Sequence, residues 1–261
     1  MKAKAVGVMK KVLPPLVGLA IVLGVWFYVC ESGMLNAYVL PSPQRVFRSF
    51  LKMARTGELG RDIVISLGRV LRGFAIAFGL AFALGMVRCL LPQAGPFYEY
   101  LVQFFRNVPP LSMIPLLILW CGIRETTKTV IIVLASFFPM YLNIVKGFTS
   151  CDAGLLEVGK AFGYGRVKSF WKIMLPWAAG DILVGMRVGL GYAWRAIIGA
   201  EMVAASTGLG HLILFAQQTS RTDKVIVGIF VIGTVGYVTD LLFGLCLRHF
   251  LKGRAEGGWS V

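Results

Sequence analysis

The chain has 261 residues, of which 57% are hydrophobic and only 15% charged, and its formal charge is +15. Water-soluble domains carry about 25% charged residues. Here the apolar residues come in long blocks, not at a period of two or of 3.6, which argues against an ordinary soluble domain and for an all-α protein crossing a membrane several times.

Lys2, Lys4, Lys10 and Lys11 precede an apolar run from Val12 to Cys30. The run ends in bulky Trp26, Phe27 and Tyr28, where a signal peptidase wants small residues, so it reads as an uncleaved first span. In "PSPQRVFRSFLKMARTGEL", Arg45, Arg48, Lys52 and Arg55 recur at helical spacing. Val46, Phe47, Phe50, Leu51 and Ala54 fill the other side. This predicts a short amphipathic helix lying in the headgroup plane. Later apolar blocks fall at about 73–91, 108–123, 129–145, 182–203 and 225–247, which with the first makes six spans. Pro109, Pro110 and Pro115 interrupt the third. Gly185 and Gly189 give the fifth a small-xxx-small pair suited to close helix approach.

The Lys and Arg distribution leans only slightly toward a cytoplasmic N-terminus. The expected layout is a single transmembrane domain over 1–261 with its core at about 60–250. With the N-terminus inside, residues 1–11, a loop at 150–176 and a tail at 248–261 would lie in the cytoplasm, an orientation that charge alone leaves open. The net positive charge reads as membrane-flanking residues against a lipid bilayer. No basic–aromatic stripe or zinc-finger spacing points to nucleic acid. The five cysteines form no C-x-x-C pair and His211 and His249 stand apart, so neither a disulfide framework nor a metal centre is expected.

"GLLEVGKAFGYG" (154–165) begins Gly154-x-x-x-x-Gly159-Lys160, one letter short of a phosphate-binding loop. That loop needs Ser or Thr next, to hold magnesium, and here stands Ala161. The preceding segment is a membrane span, not a soluble-sheet strand, so this chain is not read as an ATPase. The segment divides instead at Gly163 and Gly165. Leu155, Leu156, Val158 and Phe162 with Glu157 and Lys160 predict one short amphipathic helix. Val167, Phe170, Trp171 and Met174, at i, i+3, i+4 and i+7, predict the apolar face of a second. Pro176 ends that helix or opens the next span. A helix–glycine turn–helix with one apolar face reads either as a docking element or as a connecting loop lying on the membrane.

Within the spans, Arg195 is expected to face protein or water. It either lines a pathway and attracts an anion such as a sulfonate, or pairs with an acid such as Glu201 of a partner subunit or Asp240. Arg106 and Asn107 precede the Pro109–Pro110 pair, which either breaks a helix at mid-membrane, exposing backbone to a solute, or only kinks it.

Glu157-Val158-Gly159, Gly163, Ile173 and Leu175-Pro176 resemble the signature E-A-A-x3-G-x9-I-x-L-P of the membrane subunits of ATP-binding-cassette importers. Val158 and Gly159 stand where that family favours alanines. "LPSPQRVF", "SLGRVLRGF", "RNVPPLSMIPLLILWCGI" and "GAEMVAASTGLGHLI" look like its nitrate/sulfonate/taurine branch. The resemblance implies a type I importer permease fold in the cytoplasmic (inner) membrane of a prokaryote. It also implies a homodimeric pathway, an external solute-binding protein, and two cytoplasmic ATPase subunits that grip the loop at Glu157–Gly163 and carry the ATP and magnesium. This chain would bind no cofactor of its own, and 150–176 and both termini would be cytoplasmic. The competing readings are a self-contained secondary transporter or channel, for which Glu201 and Asp240 are the candidate ion-coupling carboxylates, and a membrane enzyme, for which no catalytic constellation is visible.

Overall fold

The computed structural model describes residues 17–18, 20–33, 36 and 38–251, with 248–251 as backbone alone. The lysines at 2, 4, 10 and 11, the start of the first apolar run and the tail 252–261 lie outside the described residues. Every regular element among the described residues is helical. In chain order these are α1 (Ala20–Glu31), α2 (Pro43–Arg55), α3 (Glu58–Leu90), α4 (Gly95–Phe105), α5 (Ile114–Cys121), α6 (Glu125–Thr149), α7 (Ala153–Ala161), α8 (Arg166–Ser169), α9 (Leu175–Ala204), α10 (Leu209–Gln218) and α11 (Thr222–Leu251). Short 3-10 turns at Pro92–Ala94 and Pro110–Met113 and a π-helical turn at Phe170–Met174 join them.

Among the described residues, four helices are long and apolar enough to span a bilayer: α3, α6, the continuous helix Arg166–Ala204 and Thr222–Leu247. A fifth span is broken: Pro92–Phe105 and Pro110–Cys121 meet at 87°. The sequence block at 108–123 is only its second half. The first half, with Glu99 and Tyr98 among its apolar residues, did not stand out as a block. The break follows from the chain itself. The side-chain Nδ2 of Asn107 donates to the carbonyl of Gln103, and backbone bonds from Asn107 and Val108 return to Phe104 and Phe105, closing α4. Pro109 is extended and cannot donate, and Pro110 opens the next turn. α1 is a shorter apolar helix.

The chain forms two compact units. The larger comprises Arg61–His211 and the chain from Ile232 onward. Its centre is the antiparallel pair α6 and α9, held close by glycine. A Cβ on Gly185 would meet Asn143 Cβ at 2.8 Å and the Met140 carbonyl at 3.3 Å. One on Gly147 would meet Ala178 Cβ at 3.0 Å. The small-xxx-small pair thus packs on α6 within the chain. Met140, Ile144, Ile197 and Ala200 are fully buried here.

In the smaller unit, α2 is capped by Ser42 and buries Val46 and Met53, with Ser49 between them bonded to Asp223. The predicted apolar side of α2 divides: Phe47, Phe50 and Leu51 stay exposed. Trp26 stacks on Phe230 and donates to the Pro41 carbonyl, and Lys224 pairs with Glu58 at 3.1 Å.

Candidate functional site

The loop at 150–176 is built as a rooted, outward-facing element. Asp152 caps α7 by accepting from the amides of Gly154 (2.6 Å) and Leu155 (3.3 Å). The helix ends at Phe162, and Gly163 follows at φ +72°, a left-handed conformation that favours glycine. The amide of Tyr164 then returns to the Gly159 carbonyl at 2.9 Å. Gly159 is buried because Ile173 occupies the space where a side chain would stand: a Cβ there would lie 2.5 Å from Ile173 Cδ1. Phe170 is fully buried with its ring 5.1 Å from that of Phe148 at the end of α6.

The four apolar residues expected on one face of the second helix are divided. Phe170 points inward, and Met174 is half-buried with its sulfur 3.6 Å from that of Cys89. Val167 and Trp171 are exposed. The π-helical turn at Phe170–Met174 resets the helical phase, so a fixed 3.6 period does not carry across it. Nor does Pro176 end a helix: the helix runs unbroken from Arg166 to Ala204, with Pro176 at the first positions of α9. The wider turn just upstream accommodates a ring that cannot donate to the carbonyl four residues back. Glu157, Ala161 and Gly163 are exposed, Leu175 and Pro176 half-buried, and Val158 is exposed beside Leu155 and Phe162.

At the opposite end of α6 and α9 lies a buried charge cluster. The Arg69 guanidinium donates to both oxygens of Glu125 (2.8 and 2.7 Å), to Glu201 Oε1 (2.8 Å) and to the Thr207 carbonyl (2.7 Å). The Glu201 side chain is fully buried. It also accepts from the Ser66 hydroxyl at 2.8 Å and from the Gly210 amide at 3.0 Å. Ser66 in turn accepts from the Leu209 amide, and Asp62 from the Gly208 amide. Gly208 has φ +108°, and a Cβ there would lie 2.5 Å from Glu201 Oε2, so only glycine fits. Lys128 completes the set at 2.8 Å from Glu125. One fork of hydrogen bonds thus ties α3, α6, α9 and the turn at 207–210 together. It also neutralises an arginine that would otherwise cost about 2.5–3.5 kcal/mol in a bilayer interior.

Residues 75–251 match the family described as the binding-protein-dependent transport system inner membrane component. The chain belongs to this family. It is 35% identical over 251 residues to the Bacillus subtilis (strain 168) permease protein SsuC, named for aliphatic sulfonates transport, covering 96% of this chain and 90% of that one. The taurine transport system permease protein TauC of Escherichia coli (strain K12) is 31% identical over 228 residues, covering 85% and 83%. Among solved structures, the inward-facing MetNI methionine ABC transporter shares the fold with a TM-score of 0.53 at 14% identity, covering 73% of this chain and 94% of that one. The chain is therefore the membrane-spanning permease subunit of an ATP-driven importer, with the type I permease fold. A permease of this family works with an ATPase and a solute-binding protein.

In this permease the intramembrane polar residues sort themselves. Glu201 belongs to Arg69, and Asp240 accepts both hydrogen bonds of a 2.8 Å fork from Arg187, so neither is the counter-ion expected for Arg195. Both carboxylates proposed for ion coupling are locked in pairs. Arg195 is exposed, with its guanidinium 5.3 Å from the Tyr192 ring centroid. Asn107 is used in closing α4, and Arg106 beside it is exposed. Reading the sequence missed Asp62, Ser66, Arg69, Glu125 and Lys128. The signal was present: Asp62, Ser66 and Arg69 fall at i, i+4 and i+7, a polar stripe along one face of a helix.

Proposed function

We propose that two identical copies of this permease enclose the pathway of a small anionic solute of the sulfonate, taurine or nitrate kind. An external binding protein delivers the solute. Two separate ATPase subunits, holding ATP and magnesium, grip the loop at 150–176 from the cytoplasm. The chain itself performs no hydrolysis and holds no cofactor, and both its termini are cytoplasmic. The observation that carries this reading is the loop's build. Leu155, Val158, Phe162, Val167 and Trp171 are exposed outward beside Glu157 and Lys160, while Phe170 roots the segment on Phe148 of α6 and Gly159 packs against Ile173 to hold its two helices together. An apolar surface held rigidly on the end of the central helix pair suits a lever that receives a push. The names of the relatives SsuC and TauC support an anionic solute.

The test is uptake by the reconstituted importer carrying Glu157→Lys or Gly163→Pro. Either change abolishes ATP-driven uptake while the permease still inserts at wild-type level. Wild-type uptake with either change would sink the lever.

A further inference from the structure

α9 carries four charged side chains. Three are neutralised inside the chain: Asp181 by Lys146 at 3.1 Å, Arg187 by Asp240 at 2.8 Å and Glu201 by Arg69 at 2.8 Å. Arg195 has no carboxylate partner among the described residues. It is exposed on a stripe with Val184, Val188 and Tyr192, about 13 Å along the helix from Ala204 at 1.5 Å per residue. A guanidinium facing hydrocarbon is strongly disfavoured, so this stripe faces water or protein.

A second observation points to the same place. Gly199 lies one turn beyond Arg195 on the same face, and a Cβ there would lie 2.8 Å from Leu111. The turn at Pro110–Met113, at the 87° break between α4 and α5, therefore packs on α9 one helical turn beyond Arg195. Irregular backbone at membrane depth is tolerated only where it is buried in protein or lines a water-filled cavity. Asn107, Pro109, Leu111 and Ser112 at this break are exposed.

A second copy of the chain would bring no uncommitted carboxylate from these spans. Within the described spans, Glu99 is held by Arg88, Glu125 and Glu201 by Arg69, Asp181 by Lys146, Asp240 by Arg187, Glu58 by Lys224 and Asp223 by Arg221, while Asp62 is buried and accepts from the Gly208 amide. A copy brings the same committed carboxylates. The described spans therefore hold no uncommitted carboxylate for Arg195.

We propose that Arg195 is the anion station of the pathway. Its guanidinium, backed by the Tyr192 ring and one helical turn from where the α4–α5 break packs on α9, pairs with the oxyanion of the solute in transit. This rests on the anionic-solute reading above. The planar guanidinium offers paired donors that match two oxygens of a sulfonate or nitrate.

The test uses the complete importer in proteoliposomes, with ethanesulfonate, taurine and nitrate as probes. Arg195→Gln is expected to lower uptake of the transported anion at least tenfold, with the detergent melting temperature and ATPase association unchanged. Arg195→Lys is expected to retain a substantial part of the uptake, because it keeps the charge. Wild-type uptake by Arg195→Gln overturns the proposal and leaves a lipid phosphate as the counter-ion. A fall in melting temperature in both variants, in step with lost uptake, also overturns it by showing a structural pair. If the wild-type importer moves none of the three anions, the anionic-solute reading itself fails, and the station with it.

Discussion

Replacing Arg69 with leucine isolates the energy of the buried cluster. Two carboxylates lose their cation, but not equally. The Glu125 side chain is 49% exposed and keeps Lys128, so its loss costs no more than about 1 kcal/mol. Glu201 is fully buried and retains only the Ser66 hydroxyl and the Gly210 amide. Stripping one partner from a buried pair costs about 3–5 kcal/mol. The expected loss is therefore about 3–5 kcal/mol, or about 6–20 °C in the melting temperature of a chain of this size. The double variant Arg69→Leu/Glu201→Leu removes the stranded charge and should recover roughly half of that loss. Recovery stays incomplete because the Gly210 amide loses its acceptor. Thermal unfolding of the purified permease in detergent measures both. A fall below about 2 °C for Arg69→Leu, or a double variant no more stable than the single, would refute the reasoning.

Gly185→Ala should weaken the α6–α9 pair more than Gly189→Ala. At Gly185 the added methyl meets a Cβ and a backbone carbonyl, whereas at Gly189 it meets only the flexible Met140 side chain. The melting temperatures of the two variants should rank in that order. Gly163→Ala has open space around it and suffers only from its φ of +72°, a strain of about 1–2 kcal/mol. It should lower the melting temperature by a few degrees and leave the permease able to assemble with its ATPase, as co-purification would report.

The spanning helices were legible because their apolar blocks are long, and the α6–α9 glycines because their four-residue spacing is a general packing signal. The half-span before Asn107 was not, because Glu99 and two prolines dilute it and the cation that neutralises Glu99 sits on α3. The charge cluster was harder still. Arg69 and Glu201 are 132 residues apart, and Arg69 stands amid Arg61 and Arg72, which look alike in a sequence. Only the three-dimensional arrangement shows that one of the three is buried while Arg61 is 67% exposed. In the loop, the division at Gly163 followed from composition. The apolar face after it did not, because a π-helical turn changes the helical phase without leaving a mark in the residue pattern.

The most direct test of the account is cysteine cross-linking in the assembled importer, with Val158→Cys on α7 and, at the other end of the central pair, Thr126→Cys on α6. The account predicts that Val158→Cys cross-links to the ATPase subunit in a manner that changes with ATP, and that Thr126→Cys never does. Cross-linking of the ATPase to position 126, or none at 158 in a transport-competent complex, would contradict it.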